Sequence, residues 1–448
     1  MEAKTLDQTL DRVREHLATN DMEGAIAIIL ALRTPDQAEL FGDLPPEQQD
    51  TLAAGLSTPE MANILEEMEE VQAADLARRL EPEDLADILD EMEPDEAADI
   101  LGDLAPQQVH AILSQMEDAD EVRPLLLHRD ETAGGLMTSE FLALRSRMAV
   151  SEALTAIRRY SPDTDTAYLF VVSAHGHLTG VVSLFHLIKA QPTTRIEELA
   201  DPDVISVRTE ADQEQCAQLM ARYDLTALPV VDGEGRLIGV ISVDDLVDVL
   251  QEEATEDFER FGGALPLGRP YLDSNPIEVA GRRVGWLLLL FVTGTLTGTV
   301  LRHFEDQLAA VVALATFIPL IVGTGGNAGF QATSTLIRSL ALGDVDSSDS
   351  LRVWWHETRV ALLLGTAMGI AAYVRAITWG TGVPVAITVS LGIIAIVLWA
   401  NTVGALLPLI ASRLRVDPTL VSGPFMSTLV DATGLLIYLS LARFILRV

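Results

Sequence analysis

Five apolar stretches fill the chain after residue 283, near 284 to 303, 309 to 341, 358 to 379, 385 to 412 and 420 to 446. Crossing the hydrocarbon of a bilayer takes about 20 predominantly apolar residues, and each stretch reaches that length. With no water at that depth to satisfy backbone groups, the stretches must fold as helices and pack together. The second stretch carries Gly323, Gly325 and Gly326 close together. The glycines predict a break in the helix there. Irregular backbone is tolerated in a membrane only where protein buries it or where it lines a cavity, so the break would mark a pathway wall.

The last stretch contains one charged residue between 420 and 442, Asp431. A carboxylate at membrane depth is costly unless it faces a water-filled cavity or a counter-ion, and the fitting ligand is a cation. Ser427 lies one turn earlier on the same helix face. Gly423-Pro424 interrupts the stretch before it. On other spans Gly325, Gly326, Asn327 and Asn401 are the small or polar candidates for a pathway wall. Asparagine also serves as interhelical glue in membranes, which is the competing reading for Asn327 and Asn401.

The charge is divided unevenly. From residue 284 onward there are 9 basic and 8 acidic groups, which leaves 21 basic and 58 acidic groups in the first 283 residues. A field of that sign repels nucleic acid and anionic lipid and attracts multivalent cations. Cys216 is the single cysteine, so no intramolecular disulfide forms, which fits a reducing compartment. The N-terminal segment is charged and amphipathic and lacks the apolar core of a secretory signal. Arg282, Arg283, Arg338, Arg352, Arg359, Arg413 and Arg415 flank the spans on one side, against Arg302, Arg375, Arg443 and Arg447 on the other. The arginine-rich side is expected to be cytoplasmic, which places the C-terminus outside.

Residues 35 to 116 repeat every 12 residues. One apolar column is Leu40, Leu52, Ile64, Leu76, Ile88, Ile100 and Ile112; the other is Leu44, Leu56, Met68, Leu80, Met92, Leu104 and Met116. The four-residue offset is a helical face, and the Pro-Asp/Glu openings suit a first helical turn. Each unit is one short helix that cannot bury its face alone, so the units should stack as a solenoid. Most of the acids on it are read as solvated charge.

Residues 137 to 250 hold a second repeat, in which LFVVS and LTGVVS are echoed by ALPVV and LIGVIS. With MTSEF at its start and LPVVDGEGRLIGVIS in its second half, this part resembles a tandem CBS (cystathionine-beta-synthase) domain pair. Such pairs are regulatory and often bind adenosine nucleotides, with an Asp three residues after the Ser or Thr that ends the last strand. Ser242 is followed by Asp245, but Ser183 is followed by His186. ATP is therefore a candidate ligand, and no nucleotide-binding residues are assigned. Residues 244 to 283 connect to the first span through an acidic amphipathic helix with apolar residues at Leu246, Val249, Leu250 and Ala254.

That order of parts, with AGGLMT at 133 to 138, PLIVGTGGNAGFQ at 319 to 331, ANTVGALLPL at 400 to 409 and DPTLVSGPFMSTLVDATGLLIYL at 417 to 439, resembles the MgtE-type magnesium channels of bacteria along essentially the whole chain. The resemblance implies a multi-domain membrane protein: an all-α acidic superhelical repeat domain (1–130), an α/β tandem CBS pair (131–250), a connecting or plug helix and linker (244–283) and a five-helix transmembrane domain (284–448). It further implies a homodimer in the bacterial inner membrane, with one pore on the two-fold axis, selective for Mg²⁺ and closed by cytoplasmic Mg²⁺. Mg²⁺ keeps most of its water shell and uses one or two carboxylates, which suits a pair of Asp431 side chains. As regulatory ligands the resemblance implicates Asp95 and Asp99 in the solenoid, and Asp212, Glu214 and Asp224 in the second CBS half. On the connector it implicates Asp245, Asp248, Glu253, Glu256 and Asp257, and before the last span Asp417. The column of Asp87 and Asp99 holds Asn63 in the third unit, a departure that weakens a ligand there.

Two other classes stay open on sequence: a proton- or sodium-coupled transporter of divalent cations, and a membrane sensor whose CBS pair reports nucleotide state. No nucleophile, zinc cluster or phosphate loop points to an enzyme, and GTGGN lacks the Lys and Ser/Thr of a P-loop. Carboxylate and water ligands suit Mg²⁺, Mn²⁺, Co²⁺ and Ni²⁺ alike.

Overall fold

The computed structural model describes residues 3–159, 168–267, 271, 274–421 and 423–447, and the chain divides into two compact units, Met1–Glu252 and Glu253–Val448.

The first unit opens with α1 (Ala3–Ala18) and α2 (Met22–Leu30). The repeats follow as α3 (Thr34–Gly42), α4 (Pro46–Ala53), α5 (Thr58–Glu66), α6 (Glu70–Ala77), α7 (Pro82–Leu89), α8 (Pro94–Gly102) and α9 (Pro106–Leu113), then α10 (Ala119–Val122). Six of the seven repeat helices carry proline in the first turn, where its missing N–H costs nothing. Helices pack on the helix two along, α3 on α5, α5 on α7, α7 on α9, and α4 on α6, α6 on α8, which is the stacking of a solenoid. All seven residues of the first apolar column are buried. In the second column Leu56 and Leu80 are only half-buried.

The CBS pair is two copies of one small α/β unit. The first is β1 (Ala143–Arg145), α11 (Val150–Ile157), β2 (Tyr168–Val172), β3 (Leu178–Ser183), α12 (Leu184–Lys189) and α13 (Ile196–Leu199). The second is β4 (Val207–Arg208), α14 (Gln213–Tyr223), β5 (Ala227–Val231), β6 (Leu237–Ser242) and α15 (Val243–Phe261). In each, a short parallel strand joins an antiparallel hairpin, and the bulge falls at the equivalent step, Val171/Val172 and Val230/Val231. Thr138 exchanges both backbone hydrogen bonds with Val240, so the AGGLMT segment pairs with the second sheet. Gly239 is required there, because Met137 occupies the space a side chain would take. The last CBS helix and the connector are one continuous helix, α15.

Among the described residues the second unit contains five helices long and apolar enough to cross a membrane: α16 (Pro276–His303), α18 (Ala313–Ala341), α19 (Ser350–Thr378), α20 (Val383–Arg413) and α21 (Gly423–Leu446), with the short α17 (Glu305–Ala310) before α18. α20 packs on α18, α19 and α21, and α18 packs on α21. The break expected at Gly323–Gly326 is absent: α18 is helical without interruption from Ala313 to Ala341. The glycines instead admit close neighbours, Gly325 against Ile396 and Val430, Gly329 against Met426 and Ala400. This is the small-residue packing of membrane helices. The third span begins at Ser350 rather than residue 358, so Glu357 falls inside it.

Candidate ion-binding sites

α18 and α21 run antiparallel along a shared seam. Gly326 faces the polar side of α21: a Cβ there would lie 2.7 Å from Ser427 Oγ and 3.6 Å from Asp431 Oδ1. Gly423, Ser427 and Asp431 follow at four-residue intervals and share one helix face. Asp431 is half-buried, and among the described residues its Oδ1 has no hydrogen-bond partner. A buried acceptor left unmatched at this depth calls for a cation or its water shell. Ser427, one turn away, supplies a hydroxyl suited to that shell.

The other pathway candidates have separate places. Asn327 is exposed on α18, and Pro424 is half-buried in the first turn of α21. Gly325 is occupied by helix packing, as described above. Asn401 is buried on α20, and its Nδ2 donates to Glu357 Oε2 at 3.0 Å. That contact is the interhelical use of asparagine, and no residue of the Asp431 group takes part in it.

A second acidic group lies in the first unit. Asp95 is buried on α8, and among the described residues its Oδ1 has no hydrogen-bond partner. Burial, reinforced by the charge of Asp245, pushes its carboxyl up to about 7. Burial with Asp95 and Asp99 nearby pushes Glu96 to about 9. Burial with Asp130 and Glu70 nearby pushes Asp99 to about 8. At the rim, Glu93 rises to about 7 through desolvation and the charges of Asp245 and Glu66. These shifts all run upward because like charges share a poorly solvated place. The same condition makes a divalent cation a fitting occupant. Asp245 also accepts from Ser242 N–H at 3.2 Å and Ser242 Oγ at 2.5 Å, which ties it to the end of β6.

Of the remaining regulatory candidates, Asp212 caps α14 by accepting from Glu214 N–H at 3.0 Å, and Asp224 ends the same helix in the left-handed region. The Asp248 side chain lies outside the described residues. In the second unit Arg260 pairs with Glu256, and its Nη1 meets Asp417 Oδ2 at 3.0 Å. Asp417 also caps the turn before α21 through Thr419 N–H at 2.8 Å. Burial, with Asp417 and Glu253 nearby, raises Asp257, and Arg260 partly offsets this. No group of three or more His, Cys, Asp or Glu residues at metal-binding distances occurs among the described residues.

Sequence reasoning missed Glu93, Glu96, Glu70, Asp130 and Arg260. Units six and five open with PDEAAD and PEDLAD, so the pattern gives Asp87 and Asp99 the same rank, yet Asp87 is exposed. For Arg260 the signal was present: one cation four residues after Glu256 on an acidic helix is an i,i+4 partner.

Three family descriptions match the chain: "MgtE intracellular N domain" over residues 32–131, "CBS domain" over 133–193 and 196–252, and "Divalent cation transporter" over 318–441. The magnesium transporter MgtE of Thermus thermophilus is 46% identical over 329 residues, 73% of each chain. The same-named protein of Enterococcus faecalis is 34% identical over 74% of this chain and 72% of its own. Among solved structures, the soluble part of a magnesium transporter aligns with a TM-score of 0.50 at 33% identity, covering 56% of this chain and 99% of that one. The cytosolic domain of the Mg²⁺ channel MgtE in complex with ATP aligns with a TM-score of 0.50 at 36% identity, covering 54% of this chain and 99% of that one.

Proposed function

This chain belongs to the MgtE family of divalent cation transporters, and from that premise we propose that it is a Mg²⁺-selective channel for magnesium uptake across the bacterial inner membrane. It acts as a homodimer with one pore, its first unit in the cytoplasm and its C-terminus outside. The observation that carries this reading is the Asp431 carboxylate, with an unmatched oxygen, in the seam where Gly326 leaves room beside Ser427.

The transported ion is recognised with much of its water in place. Two Asp431 carboxylates across the two-fold axis supply charge, and the Ser427 hydroxyls and exposed Asn327 accept or donate to the water shell. Gly325, Gly326, Gly423 and Pro424 shape the wall, and Asn401 braces α20 against α19 through Glu357.

Cytoplasmic Mg²⁺ closes the channel. When the ion is scarce, Asp95, Asp99 and Asp245, with Glu93 and Glu96, repel one another; bound Mg²⁺ neutralises them. Glu253, Glu256, Asp257 and Asp417 form the corresponding group at the end of α15, with Asp248, Asp212, Glu214 and Asp224 as further ligands. The ion favours the closed state by binding it better. One relative's cytosolic domain is described with ATP, and ATP is a candidate ligand of the CBS pair here.

Expression of the wild-type chain should restore growth of a magnesium-uptake-deficient bacterium at limiting Mg²⁺. Asp431→Ala should not, and growth restored by that variant would remove Asp431 from the pathway.

A further inference from the structure

The seam that holds Asp431 continues into an aromatic contact that the acidic chemistry does not use. One turn beyond Gly326 on α18, toward the Arg338 end, stands Phe330; one turn before Ser427 on α21 stands Gly423. A Cβ on Gly423 would overlap the Phe330 ring, so the ring rests on the bare backbone of α21. Phe330 nevertheless remains 42% exposed. Phe261, the last residue of α15, lies against it with ring centroids 5.2 Å apart and planes 33° from parallel. The neighbouring Arg260 holds the same end of α15 to Asp417, just before α21.

We propose that Phe330 is an apolar gate residue of the cation path and that Phe261 closes it by stacking. The inference rests on the reading of the α18–α21 seam as that path. A hydrated divalent cation travels with its water, and a phenyl ring offers that water no hydrogen bond. An apolar constriction next to a carboxylate site therefore stops the ion by excluding water. The clasp needs no metal. It sets how tightly the channel shuts once the acidic groups have brought α15 into place, and Gly423 is the seat that keeps Phe330 in position.

The test is made on the full-length chain in excised patches at saturating cytoplasmic Mg²⁺, where the channel is closed. An aromatic pair shifts a two-state equilibrium by about 2-fold to about 12-fold. Phe330→Ser and Phe261→Ser should each raise the residual open probability by that factor, and the double variant should rise no further than the larger single. Residual opening at the wild-type level in both singles, or fully independent effects, overturns the proposal. Phe261 lies outside the spans, so its variant remains informative if Phe330→Ser fails to fold.

A readout independent of transport separates this proposal from the channel reading. The single native cysteine, Cys216, is wholly buried and is left in place. Phe261→Cys combined with Phe330→Cys should cross-link under oxidation in Mg²⁺ and lose the cross-link under chelation. Equal cross-linking in both conditions makes the pair static packing and overturns the gate. If wild type carries no Mg²⁺ current while the cross-link still follows Mg²⁺, the channel reading fails and the clasp stands.

Discussion

Asn401 and Asp431 each leave a side-chain oxygen without a hydrogen-bond partner among the described residues, but Asn401 also makes a donor contact between helices. Asn401 donates to the half-buried Glu357, and removing it loses a hydrogen bond worth about 1 kcal/mol. Asn401→Ala should therefore lower the thermal midpoint in detergent while Mg²⁺ flux per folded channel stays near wild type. Flux lost without a loss of stability would instead put Asn401 in the pathway. Among the described residues Asp431 Oδ1 has no such partner to lose. The place where its site can be blocked without altering the carboxylate is Gly326, where a Cβ would press on Ser427 Oγ at 2.7 Å. Gly326→Ala should cut Mg²⁺ flux severalfold with the fold retained, and unchanged flux would mean that the seam opens elsewhere. Asp431 was legible in the sequence because a lone charge in an apolar run has few structural uses. The Asn401–Glu357 pair was not, because Glu357 lies among His356, Thr358 and Arg359, which end an apolar window before the helix itself ends.

Among the elements, the solenoid was the most legible. Its 12-residue period specifies which residues face inward, and the whole of the first column is buried. The glycine-rich helix α18 was read wrongly for a physical reason. Glycine disfavours a helix by about 1 kcal/mol in water, but in lipid an opened turn has no solvent to satisfy it, so the ladder persists. Helix α8 carries three poorly solvated acids, and their titration has a definite sign. Asp95, Glu96 and Asp99 are raised to about 7, about 9 and about 8. Protonation of these groups favours the folded state, a contribution present below the ordinary carboxylate range and lost as pH rises through 7 to 9. In chelator, the thermal midpoint of the solenoid's unfolding should fall between pH 6 and pH 9. Added Mg²⁺ should restore it more at pH 9 than at pH 6, because only the ionised groups need the cation. A midpoint that climbs with pH in chelator would contradict the assignment.

Across the whole molecule the charge division has one chemical sense. The first 283 residues hold 58 acids against 21 bases, while the apolar half is nearly balanced, so one part attracts the ion that the other admits. Neutralising Asp95 and Asp245 together, as Asp95→Asn with Asp245→Asn, should shift closure in patches to higher cytoplasmic Mg²⁺ by about tenfold or more, the scale of a single lost ion site. An unaltered Mg²⁺ response would place the sensing ions elsewhere. The sequence could not rank these acids, because convergence depends on which faces of α8 and α15 meet, and a run of like charges contains no such information.

The central claim, passive passage of Mg²⁺ past Asp431, is tested most directly by Mg²⁺ entry into proteoliposomes loaded with a Mg²⁺ indicator, with neither a proton nor a sodium gradient. Wild type should admit Mg²⁺ down its own gradient, and Asp431→Ala should match protein-free vesicles. Entry that requires a proton or sodium gradient, or that survives Asp431→Ala unchanged, would contradict the account.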